Sequence, residues 1–563
     1  MKNKKLLPLV LLLAAFSASG CSTSDKERIV IRVLNSADYI YEAEEEGFYC
    51  ETCEEYIPLD EVSGNEEEGY FDSKGHEVYY DSDMMQQFVD YLNNDKYKDE
   101  GIEFDYIYDT FDTPETCYNE LMTGKSNYDV INVSDYMVQK MMTHDLIQPL
   151  FGEKSKIENH DEVEANISDY ISKYLWGEDD SVFNKKYAKK EKYEDKEDPY
   201  DYSKCLADYS VPYMWGTIGI MYNYDFFDDE SEVVDKKFSS WEVLYDEYAS
   251  SSFSIKDSVR DVYAVSILHA YKDEIKKLEN DYLNIPEPDE KTFNEKLTKI
   301  FNRCDEKAIK DVKEDMLTLK ENAFGFEVDS GKTDMVAGDK IGANLAWSGD
   351  AAWAIYEAYD EHDVELAFSV PEEGSNIWFD AWCVPSVANH PQYALDFIEF
   401  MSEPEHAISN MDYVGYTSAT AGDEVLEYIR DKYDVRSVDE EYNKYQEYDI
   451  RYFFEDSLEE CDIDDALLHA WTSDADKDYE EYQVYARMLK AQFPEAKMLP
   501  HLCVMDDYGK DNEAVLDMWQ SVRTNPLPFW AIILFSLEIA VALAFIIYYF
   551  VKRSLKKKYK KMY

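Results

Sequence analysis

Positive charge is what this sequence lacks most. Its 563 residues carry 56 lysines and arginines against 120 aspartates and glutamates, a formal net charge of −64. Nucleic acid is excluded as a partner, because binding phosphates takes clustered positive charge. An acidic surface can draw cations toward a cleft, although solubility and self-repulsion account for most of such a charge. Cysteine is scarce as well, with nine in the chain. Setting Cys21 aside, Cys50, Cys53, Cys117, Cys205, Cys304, Cys383, Cys461 and Cys503 are too thinly spread for a disulfide scaffold. Cys50 and Cys53 form one C-x-x-C, with His76 some way downstream, but no second C-x-x-C completes a zinc site. A local disulfide or free thiols therefore weigh above zinc, and neither metal nor cofactor is expected. Catalytic motifs are missing too: there is no G-x-S-x-G and no H-E-x-x-H. "GKS" (124–126) and "GKT" (331–333) invite a phosphate-loop reading, but Asn119 stands where the first needs its leading glycine. Gly325 is one residue too far from Gly331 for the second, so backbone amides cannot cradle phosphates at either place. Carboxylate pairs are too common here to single out a glycosidase. No enzyme is expected. Glycine is scarce at 20 beside 48 tyrosines, which reads as compositional bias.

What is present starts with core-forming material. Hydrophobic residues make up 45% of the chain, enough for about two to four domains or one large two-lobed body. The N-terminus, "MKNKKLLPLVLLLAAFSASGC", has Lys2, Lys4 and Lys5, an apolar run from Leu6 to Phe16, and small residues before Cys21. That is the form of a secretory signal over 1–20. Its "ASGC" ending resembles a bacterial lipobox, which implies a lipid on Cys21. At the other end, "PFWAIILFSLEIAVALAFIIYYFV" (528–551) is long enough to span a bilayer, with Glu538 its one charge. The basic tail 552–563 is expected to be cytoplasmic by the positive-inside rule. The expected location is the cell membrane, lipid-anchored and single-pass, with the main body outside.

Between the ends, strands alternate with helices, the pattern of a parallel α/β sheet. "RIVIRVL" (28–34), "IEFDYIYD" (102–109) and "YDVINVS" (128–134) read as strands. Met85, Phe88, Val89 and Leu92 fall at i, i+3, i+4 and i+7, the mark of an amphipathic helix. The acidic, tyrosine-rich stretch 41–82 reads as a surface insertion, and 177–207 as a mixed-charge excursion. "YSVPYMWGTIGIMYN" (209–223) is buried and extended, and "PQYALDFIEFMS" is a helix with Ala394, Phe397, Ile398 and Met401 on one face. The region 455–520 reads as helical and polar.

Seven stretches in collinear order resemble the bacterial spermidine/putrescine-binding proteins, the extracytoplasmic receptors of polyamine ABC importers. They are "VLNSADYI" (33–40), "NYDVINVSDYMVQKM" (127–141), "YSVPYMWGTIGIMYN" (209–223), "KDSVRDVYAVSIL" (256–268), "NLAWSGDAAWA" (344–354), "IWFDAWCVP" (377–385) and "VGYTSA" (414–419). The resemblance implies an α/β, two-lobed periplasmic-binding-protein fold of type II, to which the C-terminal transmembrane helix is added. One lobe would comprise 28–220 and 379–420, the other 221–378 and 421–524. In the family, ammonium groups meet carboxylates while aromatic rings cover the methylenes. Trp378 and Asp380 match the family's Trp-x-Asp, and Trp347 a second cleft tryptophan. Ser134, Asp135 and Tyr136 fall on its Ser/Thr/Tyr loop, Asp261 on a cleft glutamate, Tyr416 on a cleft tyrosine, and Asp38 and Tyr39 on the first loop. Trp353 and Trp382 read as core. The chain departs from the pattern at Ser36 and Ala37, where a tryptophan and a hydroxyl residue are common, and at Ser258, an acid in some members. The resemblance implies a polyamine ligand, putrescine or spermidine, and permease and ATPase partners at the membrane. The open alternatives are another small organic cation or a peptide, and a membrane-anchored sensor or scaffold without transport.

Overall fold

The computed structural model describes residues 27–150 except 51, 54 and 66–68; 157–175; 206–437 except 329; 445–471 except 456; 480–524; and 545, 546, 548, 549 and 552. The chain divides into two compact units, Met1–Val33 with Glu42–Asp109, and Leu34–Tyr41 with Thr110–Tyr563.

In the first unit, β1 (Glu27–Ser36) and β7 (Ile102–Phe111) are neighbours. Between them in sequence lie β2 (Gly47–Cys50), β3 (Glu55–Ile57), β4 (Ser63–Asn65), β5 (Gly69–Phe71) and β6 (Glu77–Asp81). These five form a small antiparallel sheet in the order β3-β2-β6-β5-β4. The expected insertion thus has a fold of its own, but little core: among the described residues of these strands only Cys50 and Val78 are buried apolar side chains. The helix Met84–Tyr91 follows and buries Met84, Met85, Phe88 and Val89, as its spacing predicts.

The second unit is built on β8 (Val130–Ser134), β9 (Val211–Asn223), β10 (Phe253–Lys256), β11 (Gly325–Glu327), β12 (Ala343–Trp347), β13 (Leu366–Ser369), β14 (Ser375–Cys383) and β15 (Thr417–Ser418). The pair β16 (Tyr445–Asp449) and β17 (Leu467–Trp471), and β18 (Leu502–Val504), complete it. Every residue of β9 is buried, which is why its sequence reads as a near-continuous apolar run. Along its length β9 changes partners. Val211–Thr217 lies against β14, with β15 beside Met214 and Trp215, whereas Ile218–Asn223 lies against β12 and β13. One half-sheet holds β8, β14, β15 and β18; the other holds β10, β11, β12 and β13; β9 belongs to both. This is the two-lobed α/β arrangement. The core of the second half-sheet gathers Ile218, Ile220, Trp241, Phe253, Tyr263 and Phe293.

Three expectations are corrected. The sheet is mixed and not parallel: β10 pairs parallel with β11 and β12, and β14 with β18, but β9 runs antiparallel to β12, β13, β14 and β15, and β8 antiparallel to β14. The region 455–520 is not simply helical. It contains the helices Glu480–Gln492 and Asn512–Arg523, but also β17 and β18. Each of those strands is short and pairs with a strand remote or separately placed in sequence, so no local alternation announces it. The transmembrane helix expected over 528–551 is also corrected. Among the described residues no helix is long and apolar enough to cross a membrane. Of that stretch only 545, 546, 548 and 549 are described, and the leader, Cys21, most of 177–207 and nearly all of the basic tail lie outside the described residues.

One buried charge ties the second half-sheet together. Lys256, at the end of β10, is 1% exposed. Its Nζ lies 3.2 Å from Glu327 Oε1 and 3.2 Å from Asp350 Oδ2, and donates to the Val328 carbonyl at 3.3 Å. Burial alone lowers the ammonium's pKa, but Asp350 and Glu327 more than offset this and hold it above the usual lysine value. Lys256→Met should therefore destabilise the protein by about 3–5 kcal/mol in urea denaturation, because two buried carboxylates lose their cation. A loss within about 1 kcal/mol, the range of an exposed pair, would contradict this role.

Candidate ligand-binding site

A cavity of about 210 Å³ opens in the second unit, where β8, β10 and β12 end and the middle of β14 crosses them. A buried water needs only about 10–15 Å³ of such space, so there is room for a slender ligand. Its walls carry polar groups from both half-sheets, in the position where strand ends and helix starts commonly build α/β sites.

The first wall comes from β14. Side chains alternate along a strand, so Asn376, Trp378 and Asp380 share the cavity face while Ile377 and Phe379 point into the core. Asp380 is held by neutral donors. The Tyr39 hydroxyl donates to Oδ2 at 2.7 Å, the Ser134 hydroxyl to Oδ1 at 2.5 Å, and Trp378 Nε1 to Oδ2 at 3.3 Å. Burial raises its pKa above the ordinary carboxylate range, and the three hydrogen bonds oppose that rise. Ser134 is the N-cap residue of the helix Asp135–Thr143, yet its hydroxyl makes no cap bond; it serves Asp380 instead. Trp378 stands opposite Gly216 in the ladder with β9. A Cβ at Gly216 would lie 3.2 Å from the Trp378 ring and 2.7 Å from Ser348 Oγ, so the ring's position depends on glycine there. The register between β14 and β9 shifts between Asp380 and Ala381, passing over Tyr213, whose hydroxyl donates to the Tyr39 carbonyl at 3.1 Å. Such bulges re-aim side chains beside sites.

The second wall comes from β10, β12 and the helices after them. Ser258 caps the helix Val259–Ala270, its hydroxyl accepting the Asp261 N–H at 3.4 Å. Serine at this departure from the family pattern therefore has a local structural role. Asp261 is an acid in the first helical turn, yet its Oδ2 also accepts Trp347 Nε1 at 3.2 Å on the cavity wall. Burial pushes its carboxyl up to about 6, against the Ser258 hydrogen bond, the charge of Lys256 and the Trp347 hydrogen bond. The Trp347 ring has Lys256 Nζ 4.3 Å from its centroid. Asp350 lines the cavity but is engaged with Lys256, with Lys332 Nζ at 4.0 Å and the Tyr416 hydroxyl at 3.3 Å. Tyr416 stacks edge-on with Tyr39, ring centroids 5.1 Å apart.

Nine of the ten predicted ligand residues line this cavity: Asp38, Tyr39, Ser134, Tyr136, Asp261, Trp347, Trp378, Asp380 and Tyr416. Asp135 does not line it. It is fully buried, its Oδ1 accepting the Tyr136 N–H at 2.6 Å, and burial drives its carboxyl well above the usual range. Asp38 sits exposed at φ 51, a left-handed conformation that aspartate tolerates. Tyr136 also helps to clamp Arg260, whose guanidinium lies 4.1 Å from the Tyr136 ring centroid and 4.0 Å from that of Tyr508. Ser36 and Ala37 do line the cavity, so the tryptophan common at this loop is absent from a real wall. Trp382 is core, 1% exposed between Tyr213 and Phe397. Trp353, also expected in the core, is only half-buried and lines a second, neighbouring cavity with Lys332 Nζ 5.2 Å from its ring centroid. Sequence reading missed Asn376, Asp350, Lys332 and Arg260 on the main cavity. Asn376 was within reach, two residues before Trp378 on the same strand face; its Oδ1 is buried with no protein partner among the described residues.

The "GKT" lysine, Lys332, is thus a cavity residue on the helix Ser330–Ala337 and not part of a phosphate loop. In the first unit, Cys50 and Cys53 are free thiols, and Asp72 and His76 lie beside them.

A cleft assembled from two half-sheets, with Asp261 and Asp380 each hydrogen-bonded to an indole, has the polar and apolar groups to hold a small solute. The family of bacterial extracellular solute-binding proteins matches residues 94–424, and the chain belongs to it. The chain is 25% identical over 339 residues to the spermidine/putrescine-binding periplasmic protein of Salmonella typhimurium, covering 60% of this chain and 74% of that protein. It is 24% identical over 331 residues to the putrescine-binding periplasmic protein PotF of Escherichia coli, covering 57% and 72%. Among solved structures it is similar to the spermidine/putrescine ABC transporter substrate-binding protein PotD of Streptococcus pneumoniae, with a TM-score of 0.48, 18% identity, and 88% and 99% coverage.

The Asp261 carboxyl yields a test of the empty site. Its folded pKa is above that of an unfolded aspartate, so the folded state binds the proton more tightly. Stability from this group is present at low pH and lost as pH rises through the interval from 3.8 to about 6. Asp261→Asn should therefore stabilise the ligand-free protein at about pH 8, by up to roughly 3 kcal/mol for a shift of about two units. The gain should vanish below about pH 4, where the wild-type carboxyl is protonated in both states. Denaturation at the two pH values checks it, and equal stability of wild type and variant at the higher pH would refute the burial cost.

Proposed function

We propose that the cavity captures a linear polyamine, putrescine or spermidine, and that the chain is the solute-binding component of an ABC importer. One observation carries this reading. Two carboxylates from different half-sheets, the half-buried Asp380 and the buried Asp261, face one cavity, and each accepts a hydrogen bond from the indole of a tryptophan that also lines it. A carboxylate gives an ammonium a charge-assisted hydrogen bond. An indole face attracts the cation and covers the methylenes between cations. Asn376 Oδ1 offers a further acceptor, and the hydroxyls of Tyr39 and Ser134 keep Asp380 aimed. The names of the relatives, binders of spermidine and putrescine, agree with this chemistry. The chain is read as two lobes with boundaries near 220/221 and 378/379, supported by the change of partners along β9 and along β14, from β18 at Ser375–Ile377 to β8 at Asp380–Cys383. The protein works outside the cytoplasmic membrane and hands its ligand to permease and ATPase subunits. A lipid on Cys21 belongs to the same reading, supported by the "ASGC" ending of the leader. No catalytic step is part of it.

Calorimetric titration of the purified protein with putrescine and spermidine tests the proposal. Asp380→Asn keeps the shape and removes the charge, and should cost roughly 1.5–3 kcal/mol of binding. That is about a tenfold to hundredfold loss of affinity. Trp378→Ala should cost at least as much, since it removes both the cation–π face and the apolar cover. Tryptophan fluorescence should shift on binding. If neither polyamine binds, or if both variants bind as the wild type does, the proposal fails.

A further inference from the structure

The insertion in the first unit poses a problem of stability. Its five strands are three to five residues long, and their side chains are mostly exposed or half-buried. A sheet this small buries too little apolar surface to hold itself together, and small domains of this kind recruit a disulfide or a metal. At its centre two turns converge. After β2 the chain folds back, with the Cys53 N–H donating to the Cys50 carbonyl at 3.2 Å, so both thiols project from one knuckle. Between β5 and β6 lies the tight turn Asp72–His76, closed by the Asp72 N–H to the His76 carbonyl at 2.9 Å and by Gly75 at φ +86.

Cys50 Sγ, Cys53 Sγ, an oxygen of Asp72 and a ring nitrogen of His76 all lie within 4.8 Å of one another. Cys53 Sγ is 3.2 Å from His76 Nδ1 and 3.6 Å from Asp72 Oδ2, and His76 Nδ1 is 3.2 Å from Asp72 Oδ2. Bonds of about 2.0–2.3 Å to a tetrahedral zinc ion set its ligand atoms about 3.3–3.8 Å apart, close to the three separations among Cys53, Asp72 and His76, and Cys50 lies within 4.8 Å of each. We propose that Cys50, Cys53, Asp72 and His76 form a structural zinc site that pins the insertion.

The outer groups fit the assignment. Asp72 Oδ1 accepts the backbone N–H groups of Lys74 and His76, each at 2.8 Å, which fixes the carboxylate and leaves Oδ2 for the ion. Two thiolates and one carboxylate around Zn²⁺ leave one net negative charge. Lys74 Nζ lies 3.3 Å from Cys53 Sγ and balances it. Two soft thiolates favour zinc over magnesium or calcium, while two cysteines are too few for an iron–sulfur cluster of the all-cysteine kind. Binding releases the two thiol protons to water. Four protein ligands close the coordination sphere, as in structural and not catalytic zinc sites. The expectation of no metal rested on the want of a second cysteine pair, and the structure supplies Asp72 and His76 in its place. The site lies before residue 94, where the family match begins, and within the first unit.

Plasma mass spectrometry of the full-length protein, purified under reducing conditions from zinc-replete cells, should find one zinc per chain. The double variant Cys50→Ser/Cys53→Ser should hold none. Lys74→Ala should bind zinc about 10-fold more weakly or worse, the cost typical of losing an outer-shell partner. Because the double variant could lose the fold of the insertion, the wild type provides a second readout. Exchange into Co²⁺ should give thiolate charge-transfer absorption and the visible bands of a tetrahedral ion. Zinc retained in the double variant would overturn the proposal. So would wild-type protein without stoichiometric zinc, or a Cys50–Cys53 disulfide with no cobalt spectrum.

Discussion

With 1% of its surface exposed, Lys256 must find its charge balance inside the protein, and the second half-sheet is arranged around that requirement. Glu327 at the end of β11 and Asp350 in the helix after β12 approach the ammonium from two directions, and Trp347 presents its ring from a third. Glu327 also accepts the Gly331 N–H at 2.9 Å and Asn344 Nδ2 at 3.2 Å, so the same carboxylate sets the start of the helix bearing Lys332. Two consequences reach the cavity. Trp347 is fixed between the ammonium on its face and the Asp261 carboxylate at its Nε1. Asp350, already neutralised, leaves Asp261 and Asp380 as the carboxylates held mainly by uncharged donors.

The two walls solve one problem in different ways. Asp380 sits mid-strand, where a half-buried carboxylate has no helix end to favour it, and three side-chain donors are spent on it. Asp261 sits at a helix N-terminus, where backbone dipoles favour an anion, and needs fewer. Asp261 is the more dehydrated of the two, which strengthens whatever electrostatic contact a ligand makes with it. The strand shared by the two half-sheets brings these walls into one cavity, and the bulge at Tyr213 lets β14 turn its polar face toward it.

How much of this could be read from residues alone varied with sequence distance. The apolar run of β9 and the i, i+3, i+4, i+7 spacing of the helix Met84–Tyr91 are local patterns and were legible, and Trp378 and Asp380, alternate residues of one strand, were matched through the family's Trp-x-Asp. Asn376 obeys the same alternation and was overlooked because an amide in a strand carries no charge to draw notice. Lys256 was illegible: a lysine ending a strand reads as solvated, and Asp350 lies 94 residues away. The cluster in the first unit was half legible: the C-x-x-C of Cys50 and Cys53 is a local pattern, but Asp72 and His76 are brought beside it by the pairing of β2 with β6. Asp135 shows the opposite error, since the loop carrying Ser134 and Tyr136 to the cavity turns the intervening carboxylate into the core.

The raised pKa of Asp261 has a consequence for the proposed binding of a cation. A carboxyl titrating at about 6 is partly protonated in a mildly acidic medium, and a cation can pair with it only after that proton leaves. Protons and ligand then compete for one oxygen. On the proposed reading, capture would release a hydrogen ion, and protons would compete with the cation for the same site.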